Sequence, residues 1–202
     1  MKIHNPKEFF AIETKNTERV KIILPIIILT ILVAIDQITK LIAVERLMPI
    51  GTYPVIPGIL SFTYLENRGA GFGILQGARW FFVAVTIVTL IAIAYYYIKL
   101  PQKKPFNYIR VGLVIIAAGA IGNGIDRLLN GFVVDFIHLR FINFPVFNIA
   151  DIYVTVGAVL LAVLALFFVK EHDLDEMKTN KKISDSDTSS ADTHVKTSGD
   201  EA

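Results

Sequence analysis

Four aspartates interrupt long apolar stretches of the chain, where an ionisable side chain needs a reason. They are Asp36, Asp126, Asp135 and Asp151. Two carboxyl groups held close together cannot both ionise cheaply, so one of them keeps a proton. The ionised group can then take a proton from water while the protonated group polarises a carbonyl oxygen. If two of these aspartates meet, the chemistry they indicate is acid–base hydrolysis.

Three of the aspartates also have purely structural interpretations. Asp36 and Lys40 are four residues apart, which is the spacing of an ion pair on one helix. Asp126 precedes Arg127, so that the two could tie neighbouring helices together or take a direct part in chemistry. Asp151 stands near the start of a predicted helix, where a carboxylate caps the helix or complements its dipole. The sequence leaves these alternatives open beside a functional one.

Asp135 fits a structural role less well, because residues 132–137 are otherwise apolar and carry no cation. Other hydrolytic chemistries have little support. The chain has no cysteine, Ser61 is its only serine before the C-terminal tail, and His138 is the only histidine in the connections predicted to face outward. No Asp-x-Asp or Asp-rich cluster concentrates the charge that a divalent cation needs, so we predict no metal site. A carboxylate pair remains, and Asp135 and Asp151 bracket one short connection.

Composition places these aspartates in a membrane protein. Of 202 residues, 53% are hydrophobic and 19% are charged, whereas about 25% are charged in soluble domains. The acidic residues between 19 and 170 are only Asp36, Glu45, Glu66, Asp126, Asp135 and Asp151. This distribution excludes a soluble enzyme, and the hydrophobicity excludes a disordered chain. A net charge of +2 gives no support for binding to nucleic acid.

Four apolar runs are long enough to cross a bilayer, which takes about 20 residues. They cover residues 22–44, 80–98, 109–129 and 150–169. Because a helix satisfies its own backbone in lipid, we predict an all-α membrane protein with four transmembrane helices. The third run contains small residues that would let helices pack closely around a site: Ala117, Ala118, Gly119, Ala120 and Gly122.

The remaining segments divide by composition. Residues 51–79 combine glycine, proline, aromatic and β-branched residues, and they predict a small extracytoplasmic β-rich segment between spans 1 and 2. Residues 1–21 are a predicted cytoplasmic flank, and residues 22–170 are the predicted four-span domain. Residues 171–202 are rich in Asp, Ser, Thr and Lys, so we predict a disordered cytoplasmic tail.

Lysine and arginine are concentrated at both termini and in the 99–108 connection. By the positive-inside rule these segments are cytoplasmic, and connections 45–79 and 130–149 face outward. At about 1.5 Å per helical residue, Asp36 lies about 21 Å and Asp126 about 25 Å from the inner ends of their spans. Asp135 follows the third span and Asp151 begins the fourth. All four aspartates therefore fall near the outer boundary of the membrane.

Four sequence blocks contain these aspartates and the polar residues near them: Asp36–Lys40, Glu66–Gly73, Gly122–Arg127 with Gly131–Phe136, and Phe147–Asp151. In these blocks the chain resembles the bacterial lipoprotein signal peptidases, the signal peptidase II family. These blocks occur in the family's order and spacing within a four-span frame, over about residues 20–170. The second block departs slightly from the family pattern Asn-x-Gly-Ala-Ala-Phe, because Gly71 replaces the second alanine.

The resemblance implies an intramembrane aspartic endopeptidase that removes signal peptides from diacylglyceryl-modified prolipoproteins, cleaving just before the lipidated cysteine. It also implies that Asp135 and Asp151 are the catalytic dyad. Positions that match substrate-binding or supporting residues of the family are Asn67, Asn123, Arg127, Asn148, Asp36, Lys40 and Asp126. No cofactor is expected.

The expected partners are the lipid bilayer, diacylglyceryl-prolipoprotein substrates and globomycin-type inhibitors. We expect a monomer that crosses the bacterial cytoplasmic (inner) membrane several times, with cytoplasmic termini and an active site at the outer, periplasmic face. The alternative function is a small polytopic transporter or proton-relay subunit that uses the buried aspartates. It would need polar residues near the middle of several spans, and the second span offers only Thr86 and Thr89. A purely structural scaffold would have no need of Asp135.

Overall fold

Four long helices and three short strands form the described part of the computed structural model. The structure describes residues 6–69, 75–101, 104–142 and 144–166. In chain order the elements are α1 (Pro6–Leu47), β1 (Thr52–Ile56), β2 (Leu60–Asn67), α2 (Arg79–Lys99), α3 (Lys104–Leu129), β3 (Val133–Leu139) and α4 (Ile149–Leu166). The loop around Gly71 and the predicted tail lie outside the described residues, so the tail stays a prediction.

Each helix contains a stretch long and apolar enough to cross a membrane. These stretches are Ile23–Leu47, Arg79–Lys99, Phe106–Leu129 and Ile149–Leu166. In the most enclosed stretch, Phe106–Leu129, 44% of the apolar window is buried inside the protein. In the least enclosed, Arg79–Lys99, the share is 6%. Large apolar side chains therefore cover the outside of the helices, as a surrounding of lipid tails allows. The prediction of four helices long and apolar enough to cross a membrane is confirmed.

Two helices begin earlier than the apolar pattern predicted. α1 begins at Pro6 rather than at residue 22, and α3 begins at Lys104 rather than at residue 109. Proline is favoured in the first turn of a helix, where its missing N–H costs nothing, and both starts have one: Pro6 and Pro105. Hydropathy marks where a helix meets lipid, so it misses the polar turns that precede the crossing.

The three strands form one antiparallel sheet in the order β1-β2-β3. β1 and β2 come from the connection between α1 and α2, whereas β3 comes from the connection between α3 and α4. In the ladder between β2 and β3, Leu65 stands opposite Asp135 and Asn67 stands opposite Val133. The sequence did not predict β3 as a strand. The sheet joins the two long connections and places the end of β2 beside the start of β3.

An apolar cluster holds β3 against the end of α1. Val134 and Phe136 of β3 pack with Ala43 and Leu47 of α1, and all four are buried. Because side chains alternate across a strand, Asp135 projects to the opposite side from its two apolar neighbours. The apolar sequence around Asp135 is thus the anchor that fixes where this carboxyl points.

Helices α3 and α4 approach closely through small residues. A side-chain carbon at Gly119 would collide with the Ala150 carbonyl oxygen and with Val154. Ala117 is 7% exposed and Ala118 is fully buried. The predicted close packing around small residues of the third span is confirmed. It sets the first turn of α4 directly against α3.

We expect Gly119→Ala to destabilise the protein and Gly124→Ala to be close to neutral. Alanine is favoured over glycine in a helix by about 1 kcal/mol, but overpacking costs about 1–3 kcal/mol. At Gly119 the obstacle is backbone, whereas at Gly124 the nearest atom is the Thr86 Cγ2 methyl at 3.0 Å, which can shift. Thermal unfolding midpoints in one detergent test this. A Gly119→Ala protein as stable as Gly124→Ala would show that this contact does not limit packing.

Candidate active site

Asp135 lies in the middle of β3 and is 1% exposed. Its Oδ1 accepts a hydrogen bond from Asn148 Nδ2 at 2.6 Å, and its Oδ2 accepts one from Asn67 Nδ2 at 2.9 Å. Burial, together with the negative charge of Asp151, raises the pKa of Asp135 to about 7, although both amides and the charge of Lys40 act in the other direction. This carboxyl can therefore hold or release a proton near neutral pH.

Asp151 lies in the first turn of α4 and takes part in a reciprocal helix cap. Asn148 Oδ1 accepts the Asp151 backbone N–H at 3.0 Å, and Asp151 Oδ2 accepts the Asn148 backbone N–H at 3.1 Å. This is the capping-box arrangement. The other oxygen of Asp151, Oδ1, accepts Asn123 Nδ2 at 2.8 Å. The capping interpretation of Asp151 is confirmed. The same residue also lines the cavity with Asp135.

Asn148 binds both aspartates and is itself fully buried. Its Nδ2 group donates to Asp135 Oδ1 at 2.6 Å and to Asn123 Oδ1 at 3.1 Å, while its backbone N–H donates to Asp151. A single residue thus fixes the two carboxyls relative to each other. Asp135 and Asp151 also interact electrostatically and line the same cavity.

A buried ionic cluster lies behind this pair. Lys40 Nζ is 2.9 Å from Asp36 Oδ2 and 3.1 Å from Asp126 Oδ2, and none of the three residues is more than 3% exposed. The ion pair predicted from the i, i+4 spacing of Asp36 and Lys40 is confirmed. Asp126 does tie two helices together, but its partner is Lys40 of α1 rather than its neighbour Arg127. The cluster fixes α1 against α3.

Sequence reasoning missed Gln37, which completes the ionic cluster. Its Nε2 donates to Asp36 Oδ2 and to Asp126 Oδ1, both at 3.1 Å. Asp36 Oδ1 also accepts the Ala150 backbone N–H at 3.0 Å, and Asp126 Oδ2 accepts the Val134 backbone N–H at 3.1 Å. The signal for Gln37 was an amide in an apolar span beside Asp36. Through these bonds the cluster positions the backbone next to each aspartate of the pair.

Arg127 lies at the wall of the cavity. Its guanidinium donates to the Gly69 carbonyl oxygen at 3.3 Å and to the Asn123 carbonyl oxygen at 3.4 Å, and it stacks 4.8 Å from the centre of the Phe82 ring. It thereby links the end of β2 to α3 and α2. Its charge acts on Asp151 and Asp135.

The cavity in front of the two carboxyls has a volume of about 550 Å³. Its polar lining consists of Asn67, Arg127, Asp135, Asp151 and Thr155, and its apolar lining includes Phe82, Phe144, Phe147, Ile152 and Val156. The sequence did not single out these apolar residues, because they come from three separate segments. Their convergence gives the carboxyl pair a largely apolar surrounding.

All nine site residues predicted from the sequence belong to one hydrogen-bonded network. They are Asp36, Lys40, Asn67, Asn123, Asp126, Arg127, Asp135, Asn148 and Asp151. His138 instead pairs with Ser61 across the sheet. Within the described ranges, no group of three or more His, Cys, Asp or Glu side chains is placed to hold a metal ion.

Fold and site together define a multi-span membrane protein with a buried, amide-held pair of aspartates, the constellation of an intramembrane aspartic hydrolase. The model of the family described as signal peptidase (SPase) II matches residues 28–167. The chain belongs to the signal peptidase II family, whose members are aspartic peptidases.

Relatives and solved structures agree with this assignment. The chain is similar to the lipoprotein signal peptidase of Caldanaerobacter subterraneus subsp. tengcongensis, with 49% identity over 70% of this chain and 95% of the relative. It is 41% identical to that of Clostridioides difficile, over 71% of this chain and 95% of the relative. A solved bacterial membrane enzyme is similar with a TM-score of 0.65 and 42% identity, over 72% of this chain and 88% of the other. A second gives a TM-score of 0.63 and 41% identity, over 72% and 94%.

Proposed function

We propose that Asp135 and Asp151 are the catalytic dyad with which this signal peptidase II cuts diacylglyceryl-modified prolipoproteins just before the lipidated cysteine. The observation that carries the assignment is their shared partner: Asn148 hydrogen-bonds to Asp135 at 2.6 Å and to Asp151 at 3.1 Å. Both carboxyls also line one cavity. The other buried aspartates, Asp36 and Asp126, are engaged with Lys40 and line no part of it.

The reaction follows from one shared proton. One carboxylate takes a proton from water as the water oxygen bonds to the scissile carbonyl carbon, and the other, protonated carboxyl gives its proton to the carbonyl oxygen. The tetrahedral diol then collapses. The first carboxyl returns its proton to the amide nitrogen, the C–N bond breaks, and the second carboxylate regains a proton from a hydroxyl of the diol. The products are the carboxyl end of the signal peptide and the free amine of the cysteine.

The substrate site is the cavity in front of the dyad. Its apolar wall, which includes Phe144, Phe147 and Ile152, suits a peptide that leaves a lipid environment, and Arg127 and Asn67 supply donors for peptide carbonyl oxygens. A globomycin-type inhibitor would occupy the same cavity. The chain works as a monomer in this proposal, because the dyad and its supporting residues all come from one copy.

The protein is a multi-pass protein of the inner membrane, and we place both termini in the cytoplasm and the dyad at the outer face. The positive-inside rule supports this orientation, since Lys99 lies at the end of α2 opposite to Phe82, which lines the cavity. The chain lacks cysteine, so single cysteines report cleanly. In intact cells a membrane-impermeant maleimide is expected to label Val55→Cys but not Lys99→Cys. Labelling of the second variant alone would reverse the orientation.

The transporter or proton-relay alternative is not favoured. A charge path across the membrane would need polar groups in the middle of several spans. The hydrogen-bonded network instead gathers its charged groups around one end of α3, at Asn123 and Asp126, and membership of a peptidase family does not favour transport.

The decisive test is cleavage of a defined precursor by the purified full-length protein. A synthetic prolipoprotein segment carrying a diacylglyceryl cysteine is expected to yield a product that begins with that cysteine. The same peptide with an unmodified cysteine is the matched control, and we expect it to be cut poorly. No cleavage of the modified peptide, or cleavage at another bond, would contradict the proposed function.

The rate of cleavage is expected to follow a bell-shaped pH profile with its alkaline limb near pH 7. The pKa of Asp135 is raised to about 7, so the proton that the pair needs is present below that pH and is lost above it. Beyond the limb, kcat/KM should fall about tenfold per pH unit. Initial rates across pH 4–9 test this, with and without a chelator, which should have no effect. A rate that climbs steadily beyond pH 8 would be inconsistent with a shared proton.

A further inference from the structure

Lys40 makes one of its three hydrogen bonds to a residue outside the ionic cluster. Two of them go to the carboxylates of Asp36 and Asp126, and the third goes to Asn123 Oδ1 at 2.8 Å. Lys40 is 3% exposed and does not line the cavity. It therefore cannot touch the substrate, yet one of its donors is aimed at a residue that binds Asp151.

The bond from Lys40 determines which way the Asn123 amide faces. An ammonium group only donates, and the second contact of Asn123 Oδ1 is the Asn148 Nδ2 group, which also only donates. A flipped amide would place its NH2 group against both donors. Asn123 Nδ2 must therefore point to Asp151 Oδ1, which it reaches at 2.8 Å.

Both oxygens of Asp151 consequently face groups that can only donate. Oδ1 receives Asn123 Nδ2, and Oδ2 receives the Asn148 backbone N–H within the first turn of α4. A helix N-terminus also favours negative charge at this place. Asp135 also accepts two amide donors, from Asn148 and Asn67, but it has no helix terminus behind it, and burial raises its pKa to about 7.

Two cations act on the pair, Lys40 from α1 and Arg127 from α3. The carboxylates of Asp36 and Asp126 are paired with Lys40 and do not line the cavity. β2 contributes Asn67 and α2 contributes Phe82, neither of which titrates.

We propose that Lys40 is a positioning residue for the reaction: by locking the Asn123 amide it keeps Asp151 as the ionised base and leaves the shared proton on Asp135. This inference rests on the proposed dyad and adds the assignment of the two roles. Asp151 then activates the water, and Asp135 donates to the carbonyl oxygen.

The location of the proton is tested by infrared spectroscopy of the purified protein at pH 6. The carboxylic C=O band of a buried protonated aspartate is expected in the wild-type protein, and it should be weaker in Asp151→Asn, where the charge that helps to raise the pKa of Asp135 is gone, and absent in Asp135→Asn. A band that survives in Asp135→Asn and disappears in Asp151→Asn would place the proton on Asp151 and overturn the proposal.

The role of Lys40 is tested with Lys40→Met, Asn123→Ala and the double variant. We expect Lys40→Met to move the acidic limb of the pH profile upward by about one unit, because a released Asn123 amide no longer holds its donor on Asp151 Oδ1 and the ionised form of that carboxyl loses a hydrogen bond. It should lower kcat by about tenfold or more while KM stays unchanged. Since Lys40 acts through Asn123, the double variant should be no slower than Asn123→Ala alone. Independent, multiplicative losses would overturn the proposal.

Arg110→Met is the matched control, because Arg110 is also a buried cation of the bundle. Arg110 is 8% exposed and donates to the Leu100 carbonyl oxygen. It precedes Asn123 by 13 residues on α3, which is about 20 Å along the helix. We expect a lower melting temperature and an unshifted pH profile. Asn123→Ala keeps both ion pairs of Lys40 and tests the step from Asn123 to Asp151, so an unshifted pH profile in that variant would also overturn the proposal. Absence of cleavage by the wild-type protein would instead refute the proposed function.

Discussion

Asparagine in place of either Asp135 or Asp151 is expected to abolish cleavage of the lipid-modified precursor, with a loss of about 10⁴-fold or more. The amide has nearly the shape of the carboxyl, but it neither accepts the proton of water nor supplies one to the carbonyl oxygen. Each variant should still fold, because the apolar cluster of Val134 and Phe136 keeps β3 in place, and the turn that carries Asp151 retains its Asn148 cap. Mass spectrometry of the released signal peptide gives the rate, and the melting temperature reports folding.

Glu45→Gln is the matched control for these variants. This substitution also removes a carboxylate, but the side chain of Glu45 is 73% exposed and its contact with Arg46 is a long surface one of 3.7 Å. We expect wild-type turnover from it. A rate within tenfold of wild type for Asp135→Asn or Asp151→Asn would remove that residue from the dyad.

The second large effect is expected at Asn148, where helix capping and support of the dyad can be separated. Asn148→Asp keeps an oxygen that caps α4, but it replaces the NH2 group by an acceptor that faces Asp135 Oδ1 and Asn123 Oδ1. We expect a loss of activity of about 10²–10³-fold, which is the usual cost of removing one preorganised donor. Asn148→Ala loses the cap as well, so it should be equally inactive and also less stable.

Asn130→Asp provides the comparison for this pair. Asn130 is exposed just after the end of α3 and lies outside the network. The same change of amide to carboxylate there should leave both the rate and the melting temperature unaffected. Activity of Asn148→Asp near that of Asn130→Asp would mean that the NH2 group of Asn148 does not organise the pair.

The spans and the site residues could be predicted because each leaves a local signal. About 20 apolar residues in a row mark a crossing whatever the partners are, and a lone aspartate in such a run stands out. β3 left no such signal, since residues 132–137 form a strand only by pairing with β2, some 70 residues earlier in the chain. The polar beginnings of α1 and α3 were missed because they lie outside the apolar runs.

Contacts within the site could be predicted only where spacing alone determines them. The Asp36–Lys40 pair follows from four residues on one helix, and it is confirmed. The choice between Arg127 and Lys40 as partner of Asp126 depends on how α1 lies against α3, which no local pattern encodes. The apolar cavity wall could not be predicted for the same reason, since Phe82, Phe144 and Ile152 meet only in the folded chain.

The reciprocal cap at the start of α4 has a consequence for biosynthesis. Asn148 and Asp151 shape the helix and the site with the same bonds, and a glycine contact seats that first turn against α3. With Asp135 and Asp151 as the proposed dyad, the fourth helix would deliver the second catalytic carboxyl. A nascent chain with three helices inserted would then lack Asp151 and would not cut other precursors at the translocon until the fourth helix has entered the membrane.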